Sequence, residues 1–282
     1  MFTVIVENKY GEQLELTHNP AYDVAAIDGI DPPEATINTT RNANYDGAVY
    51  NSSFMNVRTI TITLAINKPA EINRINLYRY FKSKGPVRMY YRNRSRDVYI
   101  DGYVKSFQIG FFDKKQTAQI VVDCPRPHFN GSIPDIQEFA SISAGFEFPF
   151  DIGATGIPFS EIVLAEEKSI YNHGDLETGV LINIHALGAV NTPKIYNVET
   201  MEHIILNVEL DAGDDIYINT IQGEKSITVI KDGVKSNGIG YLDTSSTWLQ
   251  MLPGDNVMTV DATTNPENML ITFTMTDQFE GV

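Results

Sequence analysis

The stretch YNHGDLETG, residues 171–179, gathers His173, Asp175 and Glu177 around Gly174, and His185 follows shortly after. Imidazole and carboxylate groups bind zinc or move protons near neutral pH. A zinc centre needs three or four converging ligands, usually at a recognisable spacing. An HxD pair with a distant histidine is not such a spacing, and His203 is equally placeable elsewhere. In GVLINIHAL, Val180, Ile182 and Ile184 share one face, and Leu181, Asn183 and His185 share the other. His185 therefore sits in mid-strand, while Gly174 offers the positive φ a tight turn uses. The segment reads as a turn that opens a strand, with solvated acids.

Other chemistries find no better footing. A glycosidase needs two carboxyls roughly 5–5.5 or 6.5–9.5 Å apart. With 23 Asp and Glu after residue 130, some pair meets that by chance, and no motif selects one. There is no GxSxG and no glycine loop before a helix to cradle phosphate. Cys124, in VVDCPRPHF, is the single cysteine. It excludes an intrachain disulfide and a CxxC site, and reads as a small buried residue. The expectation is no enzyme, no metal and no cofactor.

The elements that carry these residues fall into two halves. A chain of 282 residues suits two domains of roughly 130–150 each. Residues 1–130 carry 16 Lys/Arg against 13 Asp/Glu, and the remainder 5 against 23. Balances of +3 and −18 sum to the net −15 and mark two surfaces facing different surroundings. The start, MFTVIVENKYGE, lacks a basic signal-peptide region. Apolar runs reach only about four residues where a membrane helix needs about 20. A soluble protein made in the cytosol, without membrane insertion, is expected.

RTITITLAIN, 58–67, alternates strictly, with Ile60, Ile62, Leu64 and Ile66 on one face of a strand. The period then changes: after Pro69, Ile72, Ile75, Tyr78 and Phe81 recur at three-residue steps until Gly85 and Pro86. That predicts a helix over 70–83. VRMYY, DVYIDGYVKSFQIG and TAQIVVDC are strands of a returning sheet. Proline-rich residues 125–145 contain the domain boundary, giving 1–130, a linker at 131–145 and 146–282. Beyond it, GVLINIHA, HIILNVEL, DIYINT, SITVI, NVMTVDA and MLITFTM are short strands separated by turns such as DAGDD and LPGDN. That spacing predicts a mainly β fold: a strand-rich N-terminal domain with one helix, then an antiparallel β-sandwich.

Three surface features remain. The polar, aromatic stretch 27–56 is too long for an ordinary loop and reads as a functional segment or one that reaches another body, with a mobile solvent hairpin as the plain alternative. Arg41, Tyr45 and Tyr50 in it are residue types that anchor interfaces. From Arg74 to Arg96 run eight cations without an acid, among them Arg79, Arg88, Arg92 and Arg94. Interleaved with tyrosines they suggest a nucleic-acid surface, yet the net charge opposes a polyanion. An acidic surface on a neighbouring subunit or partner fits better, and a solvated face is the plain alternative. Trp248, in STWLQMLPGDN, is either core or a sugar-stacking platform.

Taken together, the chain resembles the distal tail proteins of siphophage-type tails. The resemblance is carried by IDGIDPPEATINTT, DGAVYNSS, RTITITLAI, LYRYFKSKGPVRMYY and VVDCPRPHF, then by YNHGDLETGVLINIHALGAVNTPKIYN, LNVELDAGDDIYINT, GEKSITVIKDG and WLQMLPGDN. It covers nearly the whole chain in order. It implies a split-barrel-like or β-sandwich N-terminal domain and a galectin-like C-terminal sandwich. It also implies a homo-hexameric ring at the virion's tail tip, joining the tail tube protein to tail-tip, tail-associated and receptor-binding proteins. An arm at about 36–55 would clasp the neighbouring subunit. Candidate interface residues are then Arg41, Tyr45, Tyr50, Arg74, Arg79, Arg88, Arg92 and Arg94. The resemblance brings no catalytic role to 171–179. The alternative is a carbohydrate-binding protein that recognises host cell-wall glycan through its C-terminal sandwich and Trp248. At this length the chain has no room for the inserted glycan-binding modules of enlarged family members.

Overall fold

The threonine–isoleucine alternation at 58–66 settles into one strand whose Ile60, Ile62, Leu64 and Ile66 are all buried. The computed structural model describes residues 2–44, 46–111, 115–144, 160–164 and 167–282. Two compact units divide the chain, Met1–Ser132 with Gln278–Val282, and Ile133–Asp277. Among the described residues the chain is mainly β, with one α-helix and several sheets.

The first unit begins with β1 (Thr3–Asn8), β2 (Gln13–Glu15) and β3 (Tyr22–Asp28). A ribbon, β4 (Ala35–Thr40) and β5 (Val49–Met55), precedes β6 (Arg58–Ile66) and α1 (Ala70–Tyr80). Then come β7 (Pro86–Arg92), β8 (Asp97–Ile109), β9 (Thr117–Cys124) and β10 (Phe129–Gly131). The main sheet runs β2-β1-β7-β8-β9-β6-β3, and β10 pairs with β8. All these pairings are antiparallel. Register aligns Val6 with Met89 and Met89 with Ile100, and likewise Ile62 with Ile120. Those side chains build one core, closed by Leu77 and Phe81 beneath the helix. Burying each such side chain contributes roughly 1.5–3 kcal/mol. Cys124 is free and buried in this core, and burial pushes its thiol up to about 12.

The helix differs from its expected form in a telling way. It ends at Tyr80, where the Phe81 N–H caps Leu77 O at 2.9 Å. The stripe at 72, 75 and 78 faces solvent, while Leu77 and Phe81, four apart, face the core. Three- and four-residue steps both trace one helix face, so the spacing located the helix without telling which face the sheet covers.

The second unit opens with β11 (Asp135–Glu138), β12 (Ala140–Ala144), β13 (Ser160–Leu164) and β14 (Glu167–Asn172). β15 (Thr178–Ala186), β16 (Val190–Asn197), β17 (His203–Ile205), β18 (Glu209–Leu210), β19 (Asp215–Asn219), β20 (Ser226–Lys231) and β21 (Val234–Asn237) follow. It ends with β22 (Gln250–Met251), β23 (Gly254–Thr264) and β24 (Met269–Met275), before β25 (Gln278–Phe279) pairs with β10 in the first unit's sheet. One sheet runs β11-β24-β15-β19-β20-β21, another β14-β23-β16-β17. Ile182, Ile216 and Phe273 from the first share a single core with Ile170, Ile195 and Met258 from the second.

Candidate assembly surface

The arm is built from its root outward. Gly29 has φ +86°, and a Cβ there would lie 2.2 Å from Thr59 O, so only glycine fits. Next to it, buried Arg58 donates to Gly29 O and Asp31 O at 2.7 Å each. The same guanidinium donates to Pro127 O and Glu280 O and lies over the Phe129 ring at 4.7 Å. Burial holds its pKa below the usual arginine value. The Val282 N–H adds a 3.2 Å bond to Ile30 O. The root is therefore clamped from three parts of the chain.

Beyond the root, β4 and β5 form a two-stranded antiparallel ribbon with a register shift between Asn38 and Thr39. Small polar side chains lace it: Asn38 Nδ2 donates to Ser52 Oγ at 3.0 Å and Asn51 Nδ2 to Thr40 Oγ1 at 2.7 Å. Tyr50 OH stands 2.8 Å from Ser53 Oγ. Yet Ile37 is 64% exposed and Tyr50 61%, and Val49, Phe54, Met55 and Val57 are exposed with them. An isolated ribbon is marginal in water, and this one leaves large apolar side chains exposed. Arg41 is exposed between the strands, and Tyr45 lies outside the described residues.

The basic run does not form one cationic face. Arg88 is paired bidentately with Asp101 at 2.7 and 2.9 Å, stacks over Tyr99 at 4.2 Å, and is held above its ordinary pKa chiefly by that carboxylate. Arg92 pairs with Asp97 at 2.7 Å, and Arg79 with Glu12. Hydrogen bonds from Asn8 and Arg79 hold the Glu12 carboxyl below its usual value. Arg74 spreads over Tyr78 and Phe111 on the helix's outer side, and Arg94 is exposed in the turn after β7. Arg74 also has Glu71 at 4.0 Å, so four of the cations are matched by the unit's own acids. Lys82 and Lys84 belong to the run read from the sequence, and the structure adds Lys9: Lys9 and Lys82 flank the Tyr10 ring beside Lys84, around a cavity of about 300 Å³.

In the second unit, the opening stretch is a turn organised by buried Asn172. Its Nδ2 donates to Leu176 O and Met251 O, both at 2.9 Å, and its Oδ1 accepts the Gly174 N–H at 2.8 Å. Gly174 does not take the positive φ expected of it, because the asparagine side chain supplies the turn's closing contact. The His173 N–H donates to Asp277 Oδ1 at 3.1 Å; burial raises the Asp277 carboxyl. His185 Nδ1 contacts Asp215 Oδ1 at 2.8 Å, and His203 Nε2 contacts Ser245 Oγ at 3.1 Å. These histidines have separate partners, and no group of three or more His, Cys, Asp or Glu among the described residues could hold a metal. Trp248 is half-buried against the core, with Lys225 Nζ 5.7 Å from its ring.

Residues 173–276 match the family model described as siphovirus-type tail component, C-terminal domain. The crystal structure of phage SPP1 Dit (gp 19.1) is similar across 99% of both chains, at 12% identity and a TM-score of 0.67. The chain has the fold of a phage distal tail protein. Two structures of the phage P2 baseplate in its activated conformation, with Ca and with Sr, cover 100% of both chains at 11% identity, with TM-scores of 0.55 and 0.50. No curated protein matches. The distal tail resemblance read from the sequence is borne out, through the family match in the second unit and the fold across both. SPP1 Dit is described as a paradigm of the hub of the adsorption apparatus in phages that infect Gram-positive hosts.

Proposed function

We propose that this protein is a structural hub of a phage tail tip. The observation that carries the reading is the end-to-end likeness to SPP1 Dit, 99% of each chain. The exposed, apolar arm supports it independently, because a protein that works alone gains nothing from such a ribbon. In this reading the first units form a six-membered ring, a split-barrel-like or sandwich framework with each arm on the next subunit. The second units are galectin-like sandwiches directed outward to tip, tail-associated and receptor-binding proteins, and the tail tube docks on the ring. The protein then resides in the virion, at the tail tip. Light scattering with negative-stain imaging tests this: particles of about six subunits with a central hole are expected, and a species that stays monomeric with purified tail tube and tip proteins present would sink it.

A further inference from the structure

Each copy carries a second exposed apolar surface, and it is not on the arm. On the outer side of α1, Ile72 (66% exposed), Ile75 (55%) and Tyr78 line up at three-residue steps, with Phe111 exposed beside them. Single exposed apolar residues are ordinary, but a contiguous patch is not. This patch is also braced. The Arg74 guanidinium spans the Phe111 ring at 5.2 Å and the Tyr78 ring at 5.7 Å, and Tyr78 packs edge-on against Phe107 at 5.1 Å. Isoleucine, tyrosine and arginine fixed in this way have the make-up of an interface centre.

We propose that this face of α1 receives the β4–β5 arm of a second copy of the chain; the inference rests on the hub reading and names the receiving surface that reading lacks. The chemistry of the two surfaces agrees. Residues 35–55 hold one cation, Arg41, and one acid, Asp46, so the arm is neutral. On the helix, Arg74 already has Glu71 at 4.0 Å, so the patch asks for no acidic partner. Consecutive register pairs, Thr36 with Phe54 and Ile37 with Ser53, point to opposite faces of the ribbon. One apolar face can therefore lie on the helix while the other stays available. The areas are compatible. With one face of the ribbon seated, two or three of its large apolar residues meet the four on the patch, and at about half exposure each they would cover on the order of 600–700 Å² of apolar surface. That is the larger part of the apolar share of a standard interface of roughly 1,600 Å². Because arm and receiving face are different surfaces, the contact is heterologous, and repetition closes a ring when the rotation allows.

Complementary variants test the pairing. Ile37→Asp with Phe54→Asp breaks the arm, and Ile72→Arg with Ile75→Glu breaks the receiving face. All four positions are exposed, so the thermal midpoint should move little, which separates lost assembly from lost folding. Each variant alone should self-associate at least 100-fold more weakly than the parent by sedimentation. Mixed one to one, they should yield a heterodimer, since one intact arm still meets one intact helix. A receiving-face variant that assembles like the parent would overturn this inference and leave the hub reading standing. So would a mixture that stays monomeric. Disulfide trapping supplies a second readout: Phe54→Cys with Ile75→Cys should give interchain cross-links under oxidation, since Cys124 is buried. Failure to cross-link in a background that assembles would overturn this inference alone, and a parent that stays monomeric with the tail tube and tip proteins present would overturn both readings.

Discussion

The ribbon at 35–55 and the turn at 171–178 use their side chains in opposite ways. In the turn, buried Asn172 spends both amide hydrogens on Leu176 and Met251 and its oxygen on Gly174, and the His173 N–H is tied to Asp277. Residue types that promised chemistry serve the fold. In the ribbon, polar threonine, asparagine and serine satisfy one another, and the apolar groups are left in water. What a region leaves unsatisfied indicates its function better than what residue types it contains. By that measure the second unit's turn is architecture, and the proposed contact surface is to be sought on the first unit's ribbon.

The largest effect expected from probing this contrast lies at the arm's root. Arg58→Ala removes a buried guanidinium and strands the carbonyls of Gly29, Asp31, Pro127 and Glu280. The loss should be roughly 3–5 kcal/mol, read as a fall in the denaturant midpoint at unchanged slope. A loss below about 1 kcal/mol would show that water replaces the guanidinium and that the root is not clamped. The next effect is on assembly alone. Replacing residues 36–55 with a short glycine–serine turn should abolish higher-order species, while the melting temperature stays within a few degrees. If stability falls with assembly, the ribbon packs on its own chain and the contrast with the turn fails.

Asn172→Ala is expected to cost about 2 kcal/mol, because it orphans Leu176 O and Met251 O. His173→Ala, one residue on, should stay within about 0.5 kcal/mol, since its bond to Asp277 is made by the backbone. The pair sharpens the comparison most directly. If His173→Ala proved the costlier of the two, or if chelator lowered the melting temperature, the turn would be a site after all.

How much of this was legible depended on whether a residue's neighbours were near in sequence. The β6 strand was read correctly because alternation alone fixes which side chains face a core. The α1 helix was located by Pro69 and Gly85–Pro86, but its buried face depends on a sheet elsewhere in the chain. β16 was passed over because it holds Pro193. That residue lacks an N–H, yet its carbonyl accepts the Leu206 N–H at 3.0 Å, and the strand is paired on both sides. Arg58 looked like a strand's first residue, and its four acceptors lie at 29, 31, 127 and 280. The cationic run was visible and its neutralisation was not, because Glu12, Asp97 and Asp101 become neighbours only through the sheet. At the candidate surface, the unusual stretch at 36–55 was legible from its length and composition, and the exposure of Ile72, Ile75 and Tyr78 was not.

The smallest expected effect concerns pH, at the carboxyl that ends the second unit. Burial raises the Asp277 pKa, only partly offset by the His173 N–H it accepts. A carboxyl with a raised folded pKa binds its proton more tightly in the native state. Stability therefore falls as pH rises from the unfolded value of about 3.9 through the folded pKa, and stays lowered above it. Asp277→Asn keeps an oxygen for the His173 N–H and removes the charge. It should raise the melting temperature slightly at pH 7, with the gain shrinking as pH falls and gone below about pH 3.9. A gain that persisted unchanged in acid would assign the effect to packing. A loss at pH 7 would mean that the charge of Asp277 is used, and would make the turn at 171–178 less purely architectural than its hydrogen bonds indicate.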